Sequence, residues 1–139
     1  MVRDYNSLDL DRLWELYKNS LSCPFWQFKE AVETGKTLVY EGVSPIGEKR
    51  IYGFVISLID DDPWIWSIVV QSFHQGEGIG TKLMAEIESR YPGYARFCLY
   101  VKNDNPAQRL YFDLGYRVVD VVTGVYADGP ALKMVKDLK

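Results

Sequence analysis

The 139-residue sequence holds only two cysteines, Cys23 and Cys98, and neither belongs to a CxxC pair or a Cys/His cluster. One disulfide at most could form, so a disulfide framework and a cysteine-built metal site are both excluded, and reduced, partly buried thiols are expected. Cationic residues are not in excess: sixteen Lys plus Arg stand against nineteen Asp plus Glu, for a net charge of -3. The basic stripe needed to bind a phosphate backbone is missing, which argues against nucleic acid as a partner. Long apolar runs are absent too. The longest, Ile51 to Ile59, is about half of a membrane span, and the start Met1-Val2-Arg3-Asp4 has no apolar signal-peptide stretch. A cytoplasmic protein without membrane association is therefore expected. With 47% hydrophobic residues, a chain of this size can bury a core without a metal or disulfide, and one domain over residues 1–139 is expected.

What is present is patterned. Ser7 is placed to cap a helix whose first turn carries Asp9 and Asp11, and whose Leu10, Leu13, Trp14, Tyr17 and Leu21 recur at helical spacing. Phe25, Phe28 and Val32 repeat likewise after Pro24, until Gly35 supplies a stop. β-rich runs follow over 37–41 and 51–59, parted by a turn segment holding Gly42, Ser44, Pro45 and Gly47. Asp60-Asp61-Asp62-Pro63 then breaks the pattern before a strand over 64–70. Ile79, Leu83, Met84 and Ile87 mark a third helix. A strand over 95–102, a helix over 106–114 and strands over 116–122 and 131–138 complete the chain. Strands divided by a helix pair in parallel, and strands joined by tight loops pair antiparallel. The expected fold is therefore α/β, a single mixed sheet flanked by about four helices.

The segment from Ser67 to Thr81 runs strand, glycine turn, helix. Glycines let the backbone approach a ligand closely, while the first amides of a helix lack partners and carry partial positive charge. Such a turn suits a phosphate or diphosphate, although turns of this kind also serve packing alone. Spacing narrows the choice. A Walker A loop has Lys directly after its last Gly, whereas Gly80 is followed by Thr81 and then Lys82. A dinucleotide fingerprint has Gly or Ala where Thr81 stands. Both forms of nucleotide binding are disfavoured. The remaining pattern, Gln75-x-x-Gly78-x-Gly80, resembles the Gln/Arg-x-x-Gly-x-Gly/Ala coenzyme A diphosphate loop of the GNAT superfamily of N-acetyltransferases. The resemblance extends over nearly the whole chain. The opening helix pair, Tyr52-Gly53-Phe54-Val55, Asn105-Pro106-Ala107 to Tyr111-Phe112, Leu114-Gly115-Tyr116 and Leu132-x-Met134-x-Lys136-x-Leu138 stand in the order of GNAT elements.

This resemblance implies a GNAT-like sheet that splays between the strand ending at Val70 and the strand over 95–102. It implies acetyl-CoA as co-substrate, no metal, and acetyl transfer to a primary amine by direct attack in a ternary complex. Main-chain groups at Ile68 and Val70 would meet the pantetheine arm, and the stretch Gln75, Gly76, Glu77, Gly78, Ile79, Gly80 and Thr81 the diphosphate. The Val70 amide would meet the oxyanion, Tyr111 would be the general acid for the departing thiolate, and Asn105 would touch the coenzyme. Plainer readings stand beside these. Ala107, Leu110, Tyr111 and Leu114 form an apolar helical stripe, and Asn105-Pro106 is a good helix-capping pair. Lys82 or Arg109 could meet the coenzyme's 3′-phosphate or simply be surface cations, and His74 receives no role.

The sequence departs from the family at the general base, where Trp64 occupies the place of a strand glutamate. Asp62 or an ordered water would then take the proton, although Asp60 to Asp62 reads equally as a solvated turn. Trp64 and Trp66 would wall the acceptor site, and Tyr126 would touch the acceptor. No His can be placed beside Cys98, so a thiol for an acyl-enzyme route is not evident. The missing carboxylate favours the alternative of a non-catalytic acyl-CoA-binding or regulatory module. The identity of the amine acceptor is not readable. A homodimer is compatible with the 14% aromatic content.

Overall fold

The computed structural model describes residues 1–18, 23–127 and 129–138. The apolar runs form one seven-stranded sheet in the order β1-β2-β3-β4-β5-β7-β6. Its strands are β1 (Val2–Asp4), β2 (Lys36–Val43), β3 (Lys49–Ile59), β4 (Pro63–Val70), β5 (Arg96–Lys102), β6 (Arg117–Tyr126) and β7 (Gly129–Asp137). The helices are α1 (Leu10–Tyr17), α2 (Phe25–Thr34), α3 (Ile79–Ser89) and α4 (Gln108–Asp113). Among the described residues only β4 and β5 pair in parallel, as the α3 crossover between them requires.

Side chains alternate across a strand, so neighbouring residues feed different cores. On one face Leu38 and Val55 pack with Ile79, Leu83, Met84 and Ile87 of α3. On the other, Val39, Phe54 and Ile56 pack with Leu13 and Tyr17 of α1 and with Phe28 and Val32 of α2. A strand buried on both faces reads as a continuous apolar run, which is why 51–59 looks unbroken. Gly53 keeps the helix close. A Cβ there would lie 2.8 Å from the Val69 carbonyl oxygen and 3.3 Å from Ile79.

Several boundaries differ from the sequence expectation. β1 is new: three residues are too short to show a period, and this strand is held by Arg3, which bonds both Asp9 oxygens at 2.9 and 3.0 Å and Glu41 at 3.0 Å. Asn6, not Ser7, caps the first helical turn. Its side chain accepts from the Leu8 amide, while Asp9 accepts from the Asn6 amide, each at 2.9 Å. α1 ends at Tyr17, and Leu21 lies outside the described residues. α4 is shorter than 106–114, and β6 runs on to Tyr126 along the sheet edge.

Two irregularities shape the centre of the sheet. β4 and β5 pair only at Trp64–Cys98 and Ile65–Leu99, and beyond that point they part. β4 also bulges, because Ile56 faces Ser67 while Ser57 faces Ile65, leaving Trp66 as the extra residue. A bulge bends its strand and increases the local twist, which carries the C-terminal half of β4 away from β5.

Candidate active site

Where the two strands part, the gap is a slot of about 460 Å³ lined by β4 from Ile65 to Val69, by β5 from Leu99 to Lys102, and by Asn105, Tyr111 and Tyr126. The ladder orients the main chain of β4 toward it. The Gln71 amide donates to the Tyr52 carbonyl at 2.8 Å, so those residues form a hydrogen-bonded pair. By the alternation of an antiparallel ladder, Gly53–Val70 and Val55–Ile68 are non-bonded pairs. Ile68 and Val70 thus turn their N–H and C=O groups to the β5 side, where the neighbouring strand has diverged. Gln75 clasps the end of this strand, its side-chain amide donating to the Val70 carbonyl at 3.2 Å.

A second cavity of about 500 Å³ continues from the slot and shares Ile68 and Tyr111 with it. Val70, Gln75, Gly76, Gly78, Ile79, Gly80, Thr81 and His74 line it, facing Ala107 and Leu110 of α4. Gly76 and Gly78 have φ of +83° and +82°, and a Cβ on either would meet nothing within 4 Å. These two glycines are therefore required by backbone conformation, and they leave an open cradle. The first bond of α3 runs from the Lys82 amide to the Gly78 carbonyl at 3.0 Å, so the amides at 79–81 have no helical acceptor. Glu77 does not line the cavity and turns instead to His74, 3.2 Å away. Among the described residues no Lys or Arg lines it either: Lys82 sits over the Tyr40 ring at 5.7 Å, and Arg109 lies 3.6 Å from Asp113.

Tyr111 stands at the junction of the two cavities with 7% of its surface exposed. The apolar helical stripe seen in the sequence is real, since Tyr111 belongs to the same core cluster as Tyr116 and packs against Leu110 and Leu114. Tyr116 braces its ring edge to face at 6.2 Å. Burial, with a smaller effect from the neighbouring Tyr126 phenol, pushes the Tyr111 hydroxyl up to about 12. Tyr126 hangs over the slot from β6 and donates to the Tyr100 carbonyl at 3.3 Å. Asn105 plays the local part expected of it, accepting from the Ala107 amide at 2.9 Å, and lines the slot as well.

The structure does not bring every expected residue here. Asp62 precedes β4 at the closed end of the splay, where it accepts from Arg96 at 2.9 Å, and it does not line the slot. Trp64 is also outside the lining; it meets Tyr100 edge to face at 6.1 Å, and its Nε1 is buried without a partner. The physical reason is position along the strand: Trp64 is still paired with Cys98 of β5, before the two strands part, and Asp62 lies two residues further back. Trp66 does line the slot and stacks on Tyr17 at 5.6 Å. The sequence reading missed Tyr100 and Lys102 on β5. The expected splay already implied that this strand forms the opposite wall. Among the described residues no carboxylate lines the slot, and no group of His, Cys, Asp and Glu could hold a metal.

An open glycine cradle, first-turn amides without a helical acceptor and a slot edged by β4 main-chain groups turned away from the β3 ladder fit the elongated diphosphate and pantetheine of coenzyme A. Comparison with known proteins bears on the same point. Residues 34–118 match the model of the acetyltransferase (GNAT) domain. No curated protein matches the chain in sequence. Among solved structures, the Arabidopsis thaliana NAA60 complex with acetyl-CoA superposes with a TM-score of 0.84 at 20% identity, covering 99% of this chain and 98% of that one. The ribosomal-protein-S18-alanine N-acetyltransferase of Escherichia coli gives 0.82 at 19% identity, covering 100% and 94%. A GNAT family acetyltransferase from Elizabethkingia anophelis with acetyl-CoA bound gives 0.79 at 15%, covering 99% and 97%. At these identities the superpositions speak for the fold, and the sequence model, which spans the loop, the splay and α4, speaks for descent: the chain belongs to the GNAT acetyltransferase family.

Proposed function

We propose that this chain transfers the acetyl group of acetyl-CoA to a primary amine by direct attack in a ternary complex, and that its preferred acceptor is an amine of low basicity such as an α-amine. The observation that carries the reading is the continuity of the glycine cradle with the slot, joined at Ile68 and Tyr111. When bound, the coenzyme supplies an acyl thioester. The amides at Ile79, Gly80 and Thr81 would hold its diphosphate, Ile68 and Val70 its pantetheine arm, and the Val70 amide the developing oxyanion, a contribution of about 10²- to 10³-fold. The Tyr111 hydroxyl would donate to the departing sulfur. An acyl-enzyme is disfavoured, because Cys98 is buried on β5 and burial pushes its thiol up.

The acceptor preference follows from the absence of a lining carboxylate among the described residues. Without a base beside it, the amine must arrive neutral or release its proton to water. An α-amine titrates near ~8 and a lysine near ~10.4, so at neutral pH the α-amine is neutral some ~10²-fold more often. One structural neighbour is named for acetylation of an alanine of a ribosomal protein.

Calorimetry with acetyl-CoA, coenzyme A and ATP tests the coenzyme site. Micromolar binding, about -8 kcal/mol, is expected for the first two and none for ATP. Thiol release is then followed with a peptide bearing a free α-amine and with an Nα-blocked peptide bearing a lysine. For the α-amine, kcat/KM should rise tenfold per pH unit up to a plateau near the amine's own titration. A faster lysine peptide overturns the acceptor reading. Binding without thiol release from any amine supports the alternative, a non-catalytic acyl-CoA-binding module, which the missing carboxylate also favours.

A further inference from the structure

The chain has one histidine, and the scheme above leaves it without a role. His74 closes the short 3-10 turn Ser72–His74 after β4 and lines the same cavity as the glycine cradle. Its ring lies flat on Tyr52 of β3, centroids 3.7 Å apart and planes 22° from parallel. Its Nδ1 lies 3.2 Å from Glu77 Oε1. The stack fixes the plane of the ring, and the hydrogen bond fixes its rotation within that plane.

An ionised carboxylate can only accept, so Nδ1 carries the proton. The neutral ring then offers a lone pair at Nε2, which repels the oxygen of an anion. Protonation turns Nε2 into a donor and adds a positive charge. Among the described residues, no other that lines this cavity supplies one. The titratable groups around the ring are Glu77 on its own loop, Tyr52 from β3 and, across the cavity, Tyr111 from α4. Cations on the surrounding elements are engaged elsewhere, Arg109 of α4 with Asp113 among them. Arg12 of α1 donates to the Ile51 carbonyl and the Gln71 side chain, Arg50 of β3 to Glu48, and Lys82 of α3 sits over Tyr40.

We propose that protonated His74 is the cation that completes the diphosphate site, so that coenzyme A binds more tightly when the imidazole has taken up a proton. The proposal rests on the coenzyme reading above. Binding and protonation are linked reciprocally: whatever factor the proton adds to coenzyme affinity, the coenzyme returns as an upward move of the His74 titration. A partly exposed charge-assisted contact gives about 5-fold, which corresponds to about 0.7 unit.

Because the histidine is unique, its imidazole signals in an NMR titration need no assignment. The titration is run from pH 6 to 8 on the free protein and on its complex with dephospho-coenzyme A, whose missing 3′-phosphate would otherwise titrate near ~6 in the same window. Calorimetry over the same range gives Kd for the wild type and His74→Gln. The expected result is an upward move of the midpoint on binding and a matching rise in affinity toward pH 6 that His74→Gln abolishes. Binding with an unmoved midpoint overturns the role of His74 and leaves the coenzyme site standing. No binding at all, with the protein folded, overturns both.

Discussion

At Tyr111 the position is clear and the chemistry is constrained. A hydroxyl pushed up to about 12 keeps its proton at neutral pH. Coenzyme thiols resemble cysteine at ~8.5, so complete transfer from such a phenol to a thiolate runs uphill by ~3.5 units, or ~5 kcal/mol. Under the proposed function Tyr111 would therefore act as a hydrogen-bond donor to sulfur as charge builds there, and the last proton would come from the acetylated amine. Tyr111→Phe should lower the single-turnover rate at least ~10-fold while leaving coenzyme Kd within about 2-fold. An unchanged single-turnover rate would remove Tyr111 from the chemistry. Asp62→Asn offers the contrast. Its partner Arg96 is more than half exposed, and the pair sits away from the slot. Neither KM nor the pH profile of kcat/KM should move.

At the level of elements, α3 has two ends with separate duties. Its N-terminal amides face the cradle, while near its C-terminus Glu88 accepts from the Tyr116 hydroxyl and from Lys136 Nζ, each at 2.8 Å. That carboxylate ties the helix to β7 and to the turn behind Tyr111. Glu88→Ala strands a buried phenol and should cost about 1–3 kcal/mol in urea unfolding, with Glu88→Gln closer to wild type. Coenzyme affinity measured on the folded variant should stay within about 2-fold; a large loss would mean that the two ends of α3 are coupled. The same elements show what a sequence can disclose. Gln75, Gly76, Gly78 and Gly80 announce the cradle, because positive φ and close approach demand particular residues at particular spacings. The splay between β4 and β5 was legible only through family resemblance, since strand divergence leaves no periodic trace. The bulge at Trp66 was not legible at all, because counting back from Val70 by twos assumes an even pleat, and neither was the point at which β4 and β5 part, which leaves Trp64 and Asp62 at the closed end. β1 escaped notice because it is held by its pairing with β2 and by the Arg3 contact with Glu41, both distant in sequence.

For the whole molecule, the distribution of buried phenols predicts an asymmetric response to pH. Burial raises Tyr17, Tyr91, Tyr111 and Tyr116, with the Glu88 carboxylate adding to the shift of Tyr116. Their folded-state values lie above the unfolded value near ~10. Their contribution to stability is therefore fully present below pH ~10 and is lost as pH climbs from there through the folded values, because only the unfolded chain releases those protons. On the acid side burial alone would raise Asp9, but the Arg3 hydrogen bonds, the Asn6 amide and the Arg3 charge outweigh it and hold the carboxyl low. That contribution is present above ~4 and disappears as pH falls through the depressed value. Phenolate absorbance and circular dichroism, followed together on the alkaline side, test the first limb. The buried phenols should ionise in one steep step that coincides with loss of the fold, and under the proposed function the step should move to higher pH with saturating coenzyme. A gradual ionisation of all ten tyrosines with the dichroism intact would show that the core around Tyr111 opens to solvent far more readily than its packing implies.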